Sequence, residues 1–117
     1  INNKALGAIE LIPQRAFYDY KAKYTKGANT KHVMPARLTK KNYNEVLRIS
    51  KLAHNALGCR GVTRSDFKFY NNKFYLLELN TQPGMTNLSL VPEIANYCGI
   101  NFSNLVEQIL LDASINR

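Results

Sequence analysis

An α+β fold, with an antiparallel sheet and about three helices, is what this sequence predicts, on three observations. Two alternating runs, 61–70 and 74–79, flank Asn71-Asn72-Lys73 as the strands of a β-hairpin flank its turn. One long stretch, 39–57, and two shorter ones nearer the C-terminus repeat their apolar residues at helical spacing. No Pro/Gly/Ser linker, internal repeat or low-complexity tract divides the 117 residues, a length that fits one domain.

In chain order, Ala5 to Ile12 reads as a strand, with Leu6, Ile9, Leu11 and Ile12 apolar and Pro13 closing it. Its edge is expected to be open, which predicts lower stability or association through that edge. Gln14 to Thr30 has no usable period, carries Phe17, Tyr18, Tyr20 and Tyr24, and reads as a long irregular loop of the kind that is usually functional. Lys31 to Pro35 reads as a short strand. Thr39 is the expected N-cap of a helix through Tyr43, Val46, Leu47, Ile49, Leu52, Ala53, Ala56 and Leu57, which Gly58 stops. Beyond the hairpin, Asn80 to Leu88 is a loop with Pro83-Gly84. Ser89 is expected to cap a helix running to about Cys98, with Pro92 tolerated in its first turn and Gly99 ending it. Ser103 is expected to cap a last helix that buries Leu105, Val106, Ile109 and Leu110.

Composition excludes several classes. No apolar run approaches the roughly 20 residues of a membrane span, and the start, Ile1-Asn2-Asn3-Lys4, lacks the long apolar core expected of a signal peptide. Two cysteines, Cys59 and Cys98, make no disulfide framework, and a reducing cytoplasm fits them. The net charge of +8 is uneven: residues 1–60 hold 12 basic and 3 acidic groups, residues 61–117 hold 4 and 5. The basic half suits polyphosphate, nucleic acid or plain solvation. A basic nucleic-acid-binding module would use it together with Tyr18, Tyr20 and Tyr24 for stacking, but no recognised nucleic-acid motif is present.

Hairpin register decides which side chains share a face. A two-residue Asn-Asn loop would pair Asp66 with Leu77 and Phe67 with Leu76, mixing charged and apolar groups on both faces. A three-residue loop pairs Phe67 with Leu77, Phe69 with Tyr75 and Ser65 with Leu79 on a mostly apolar face. It then leaves Arg64 opposite Asn80 and Asp66 opposite Glu78 on the other. The apolar face favours the second register. Facing carboxylates repel unless a cation lies between them, and Mg²⁺ is held by one or two carboxylates plus substrate phosphates. Asn80 adds a neutral oxygen, and Arg64 a planar cation suited to phosphate or an oxyanion. A surface salt bridge between Arg64 and either carboxylate is the alternative. The helix start at Ser89 offers N–H groups to an anion, or is a plain cap.

Leu57-Gly58-Cys59-Arg60-Gly61-Val62-Thr63-Arg64-Ser65-Asp66-Phe67, then Leu76-Leu77-Glu78-Leu79-Asn80-Thr81-Gln82-Pro83-Gly84-Met85-Thr86, resembles the D-alanine–D-alanine ligase family. So do Phe17-Tyr18-Asp19-Tyr20-Lys21-Ala22-Lys23-Tyr24 and Ser89-Leu90-Val91-Pro92. The resemblance covers nearly the whole chain, with its motifs in the right order. They correspond to the C-terminal third or so of these ATP-grasp ligases, so residues 1–117 are expected to be a partial ATP-grasp domain.

The resemblance implies ATP-dependent ligation of two D-alanines through an acyl phosphate, for peptidoglycan synthesis, in a cytoplasmic, homodimeric bacterial enzyme that engages neither nucleic acid nor membrane. It implies Asp66, Glu78 and Asn80 as ligands of Mg²⁺ (or Mn²⁺), and Arg64 and the N–H of Gly84 as oxyanion stabilisers. Ser89 and the N–H of Leu90 would hold the second D-alanine's carboxylate; Lys23 and Tyr24 would close over ATP and the first D-alanine. Ligases that make D-alanyl-D-lactate lack the residues matching Tyr24 and Leu90, which favours the dipeptide product. Lys68 departs from the pattern, standing where the family has an apolar residue near the adenine. Another ATP-grasp carboxylate–amine ligase is the rival reading. The chain alone, lacking the upstream ATP-grasp residues, is expected to be inactive.

Overall fold

The computed structural model describes residues 1, 3–13 and 30–115. Strands β1 (Glu10–Pro13) and β2 (Thr30–Val33) form one antiparallel pair, with Leu11 opposite His32. Helix α1 (Lys40–Ala56) follows, then the hairpin of β3 (Arg64–Tyr70) and β4 (Lys73–Asn80), and helices α2 (Leu90–Tyr97) and α3 (Phe102–Asp112). The α+β class, the antiparallel pairing and the three helices agree with the sequence; the strands form two separate two-stranded sheets.

The first predicted strand is shorter than expected. Residues 5–9 are not strand; side chains and a neighbouring loop take up the polar backbone groups of Ala8 and the carbonyl of Leu6. The Ala8 N–H donates to the Tyr43 hydroxyl at 3.0 Å, the Ala8 carbonyl accepts from the Ala36 N–H at 3.0 Å, and the Leu6 carbonyl accepts from the Cys98 thiol at 3.3 Å. Gly7 permits this approach, since a Cβ there would meet Met34 Cε at 3.0 Å and the Tyr43 oxygen at 3.1 Å. The expected loop at 14–30 lies outside the described residues except for Thr30, which begins β2.

The helix ends follow local chemistry. Thr39 caps α1, its hydroxyl accepting from the Asn42 N–H at 3.1 Å. At the far end Gly58 takes φ +65°, the Cys59 N–H returns to the His54 carbonyl and the Gly58 N–H to that of Asn55, a Schellman closure. Gly99 closes α2 the same way, with Ile100 donating to Ala95. That closure leaves Asn101 as the next residue, and its side chain accepts from the Asn104 N–H at 2.8 Å. Asn101 therefore caps α3 in place of the expected Ser103, which lies inside the helix.

The core sits where α2 meets α3. Ala95 and Leu105 are fully buried and Val91 nearly so, with Leu6, Val62, Met85, Ile100 and Ile109 packed around them. Leu110, expected inside, is exposed. Among the described residues no helix is long and apolar enough to cross a membrane.

A polar strut joins α1 to the hairpin. His54 is only 9% exposed, and its Nδ1 lies 2.7 Å from the Thr63 Oγ1, one residue before Arg64. Burial holds its imidazole below the ordinary value of about 6.5. The unfolded chain therefore takes up this proton first as pH falls, so stability is lost from about pH 6.5 downwards. The urea midpoint is expected to fall between pH 7.5 and 5.5, and His54→Gln to flatten that fall. An equal slope in His54→Gln would refute the assignment. The Glu10 carboxyl, held low chiefly by its hydrogen bond from Arg37, titrates below this window.

Candidate functional site

The hairpin resolves the register question with a bulge. Asn71 and Asn72 both take positive φ, 54° and 59°, as a two-residue turn of the kind favoured in hairpins requires. From that turn Tyr70 pairs with Lys73, Phe69 with Phe74, Lys68 with Tyr75 and Phe67 with Leu76. Between Asp66 and Phe67 the register shifts, Leu77 is the extra residue, and Asp66 then opposes Glu78, Ser65 opposes Leu79 and Arg64 opposes Asn80. The three-residue loop and the pairs Phe67–Leu77 and Phe69–Tyr75 are thus corrected, since two asparagines able to adopt left-handed φ make the tighter turn. The pairs that form the site are as expected.

Phe67, Phe69 and Phe74 share one face, with ring centroids 5.9 Å apart for Phe67–Phe74 and 4.6 Å for Phe69–Phe74. The opposite face carries Arg64, Asp66, Glu78 and Asn80. Arg64 is almost buried and grips Asp66 with two bonds, Nε to Oδ1 at 2.7 Å and a terminal nitrogen to Oδ2 at 2.9 Å. The salt bridge considered as the alternative is therefore present, and it falls on Asp66. Glu78 is exposed. Asn80 Oδ1 accepts from the Gln82 N–H at 2.8 Å, bending the chain into the following loop.

Among the described residues no three His, Cys, Asp or Glu side chains converge on one point. Two carboxylates and one amide oxygen are a partial oxygen set. That suits a hard cation whose remaining ligands are phosphate oxygens and water, and does not suit a metal held by protein alone. Arg64, Asp66, Glu78 and Lys68 line a cleft of about 910 Å³ together with Phe67, Phe69 and Phe74 of the same hairpin, the segment from Asn3 through β1, residues of α1 and the start of α2 at Leu90. Lys68 thus adds a cation to the cleft. Asn80, Gly84 and Ser89 do not line it, and Lys23 and Tyr24 lie outside the described residues.

The loop after β4 is closed on itself. Ser89 is the N-cap of α2 but makes no side-chain cap bond. Its Oγ accepts from the Thr86 N–H at 2.9 Å and lies 2.8 Å from the Thr86 hydroxyl. A Cβ on Gly84 would stand 2.8 Å from that same Oγ. Sequence reasoning missed both this contact and two histidine contacts, His54–Thr63 and an ion pair of His32 with Glu93 at 2.7 Å. A histidine on a predicted helix or strand was the available signal for each.

The sequence model of the family described as D-ala D-ala ligase C-terminus matches residues 1–111. A D-alanine–D-alanine ligase of Pelagibacter ubique is 64% identical over all 117 residues, which span 38% of that protein. One of Citrifermentans bemidjiense is 54% identical over 98% of the chain, again spanning 38% of the relative. The crystal structure of the Bacillus anthracis D-alanine–D-alanine ligase complexed with ATP superposes with a TM-score of 0.77 at 32% identity, covering 95% of this chain and 36% of that one. The VanG D-Ala:D-Ser ligase of Enterococcus faecalis gives 0.68 at 31% identity, over 87% of this chain and 29% of that one. The chain thus spans well under half the length of the proteins it matches.

The Gly84–Ser89 contact yields a direct test. Gly84→Ala is expected to displace Ser89 and Thr86, seen as amide shift changes at 86–90 in a heteronuclear NMR spectrum, with α3 unaffected. Unchanged shifts at Thr86 and Ser89 would show that the loop does not pack as described.

Proposed function

Because the chain belongs to the D-alanine–D-alanine ligase C-terminal family, an ATP-grasp fold, we propose that it is the C-terminal part of an enzyme joining two D-alanines at the expense of ATP. The observation that carries this reading is the Asp66–Glu78 pair on the face that also bears Arg64 and Asn80, in a chain of this family. In the proposed reaction a carboxylate oxygen of the first D-alanine attacks the γ-phosphorus of ATP, giving an acyl phosphate and ADP. The amine of the second D-alanine attacks that carbonyl and loses a proton, and the carbon–oxygen bond to phosphate breaks.

Asp66, Glu78 and Asn80 would hold Mg²⁺ or Mn²⁺, which when bound supplies charge neutralisation at the ATP phosphates. Arg64, nearly buried and planar, would stabilise negative charge on the transferring phosphoryl group and on the tetrahedral oxyanion, with the N–H of Gly84. Ser89 and the N–H of Leu90, at the N-terminal end of α2, would receive the carboxylate of the second D-alanine. Lys23 and Tyr24 would cover the nucleotide and the first substrate, excluding water from the acyl phosphate. The partial-domain assignment, a homodimeric parent and a cytoplasmic setting where ATP is supplied belong to the same proposal. Tyr24 and Leu90 favour D-alanine over D-lactate as acceptor.

The test joins the upstream part of the Pelagibacter ubique ligase to residue 1 and follows phosphate release from Mg-ATP with D-alanine, then with D-alanine plus D-lactate. Release with D-alanine alone is expected, falling by ~10²-fold or more in Asp66→Asn and in Glu78→Gln. The 117-residue chain by itself is expected to release none. A folded fusion that binds ATP but releases no phosphate with D-alanine would refute the reading.

A further inference from the structure

The His32–Glu93 pair lies apart from the hairpin and is used by none of the roles above. His32 Nδ1 stands 2.7 Å from Glu93 Oε1, joining β2 to α2. A carboxylate only accepts hydrogen bonds, so Nδ1 carries the proton. Glu93 is the acidic residue of the first turn of α2, and its N–H donates to the Ser89 carbonyl at 3.4 Å. Pro92 has no N–H. Helix geometry leaves the N–H groups of Leu90 and Val91 without an intrahelical acceptor, and that of Leu90 is the one proposed above for the acceptor carboxylate.

Glu93 endangers that arrangement. Helical side chains lean towards the N-terminus, and the partial positive charge there attracts an acid. An untethered Glu93 would draw on the same field as an incoming carboxylate and repel it. The pair to His32 ties the charge to β2. We propose that His32 is a positioning residue that holds the Glu93 carboxylate at β2 and so keeps the N-terminal end of α2 available to the carboxylate of the acceptor amino acid. This deepens the functional reading above and rests on it.

The test uses the same fusion, with the donor site saturated and the acceptor D-alanine varied. His32→Ala is expected to raise the acceptor KM about 3- to 10-fold, with kcat and the KM for ATP within about twofold of the parent. Added salt should shrink the difference, because both side chains are partly exposed. His32→Gln, which keeps an N–H donor, should recover most of the loss. With Glu93→Gln there is no charge left to restrain, so His32→Ala/Glu93→Gln should match Glu93→Gln alone. An unchanged acceptor KM in His32→Ala overturns the proposal. So does a double variant as impaired as His32→Ala, which would mark the pair as a brace. A fusion that binds ATP yet forms no dipeptide overturns the functional reading, and this inference with it, whereas normal ligation with an unmoved KM overturns this inference alone.

Discussion

One extra residue in β4, Leu77, holds the polar face of the hairpin together. The Asn71–Asn72 turn imposes a register that, continued along the strands, would set Asp66 opposite Leu77 and Ser65 opposite Glu78. The two carboxylates would then point to opposite faces, because alternate residues of a strand do. The bulge inserts Leu77 between the two registers and turns Glu78 back to the face of Asp66. Both ends of the hairpin thereby obtain what they require: a tight turn with paired phenylalanines at the tip, and a shared polar face at the base. Bulges are frequent beside active sites for this reason. Leu77 itself is 67% exposed, so its placement serves its neighbours more than its own burial.

Charge on that face is balanced within the strand. Arg64 and Asp66, two residues apart, are bound through both carboxylate oxygens, while Glu78 is left to water. A nearly buried guanidinium is costly without a partner, and Asp66 supplies one when nothing else is bound. The His54–Thr63 bond anchors the strand one residue earlier, so the arginine's backbone is held from α1 as well as through the ladder to β4.

Local signals were legible, and long-range ones were not. Thr39, Gly58 and Gly99 mark helix ends because each acts on its own backbone within a few residues. The error at Ser103 comes from two adjacent good caps: Asn101 and Ser103 are both suitable, and the Schellman closure at Ile100 chooses between them. The site pairs Arg64–Asn80 and Asp66–Glu78 were read from face segregation, which is a property of the strands alone. Turn chemistry and face segregation each demand a different register, and only an inserted residue, which no local pattern marks, satisfies both. Residues 5–9 resemble a strand in sequence, yet Leu6 and Ala8 among them are served by Tyr43, Ala36 and Cys98, all at least 28 positions away. No periodicity announces such partners.

The loop from Gly84 to Ser89 makes one mechanical unit of two proposed functions. Ser89 could have capped α2 with its hydroxyl, as serine commonly does; instead the hydroxyl closes the loop onto Thr86. Gly84 then packs against that hydroxyl with no room for a Cβ. The backbone N–H proposed for the oxyanion and the helix end proposed for the acceptor carboxylate therefore belong to one closely packed loop. Geometry of that kind matters where a bound amine must meet a carbonyl within about 3–3.5 Å. The glycine is needed here for space and not for φ, whereas Gly58 and Gly99 serve through positive φ. A larger residue at 84 would disturb both ends of the proposed reaction at once.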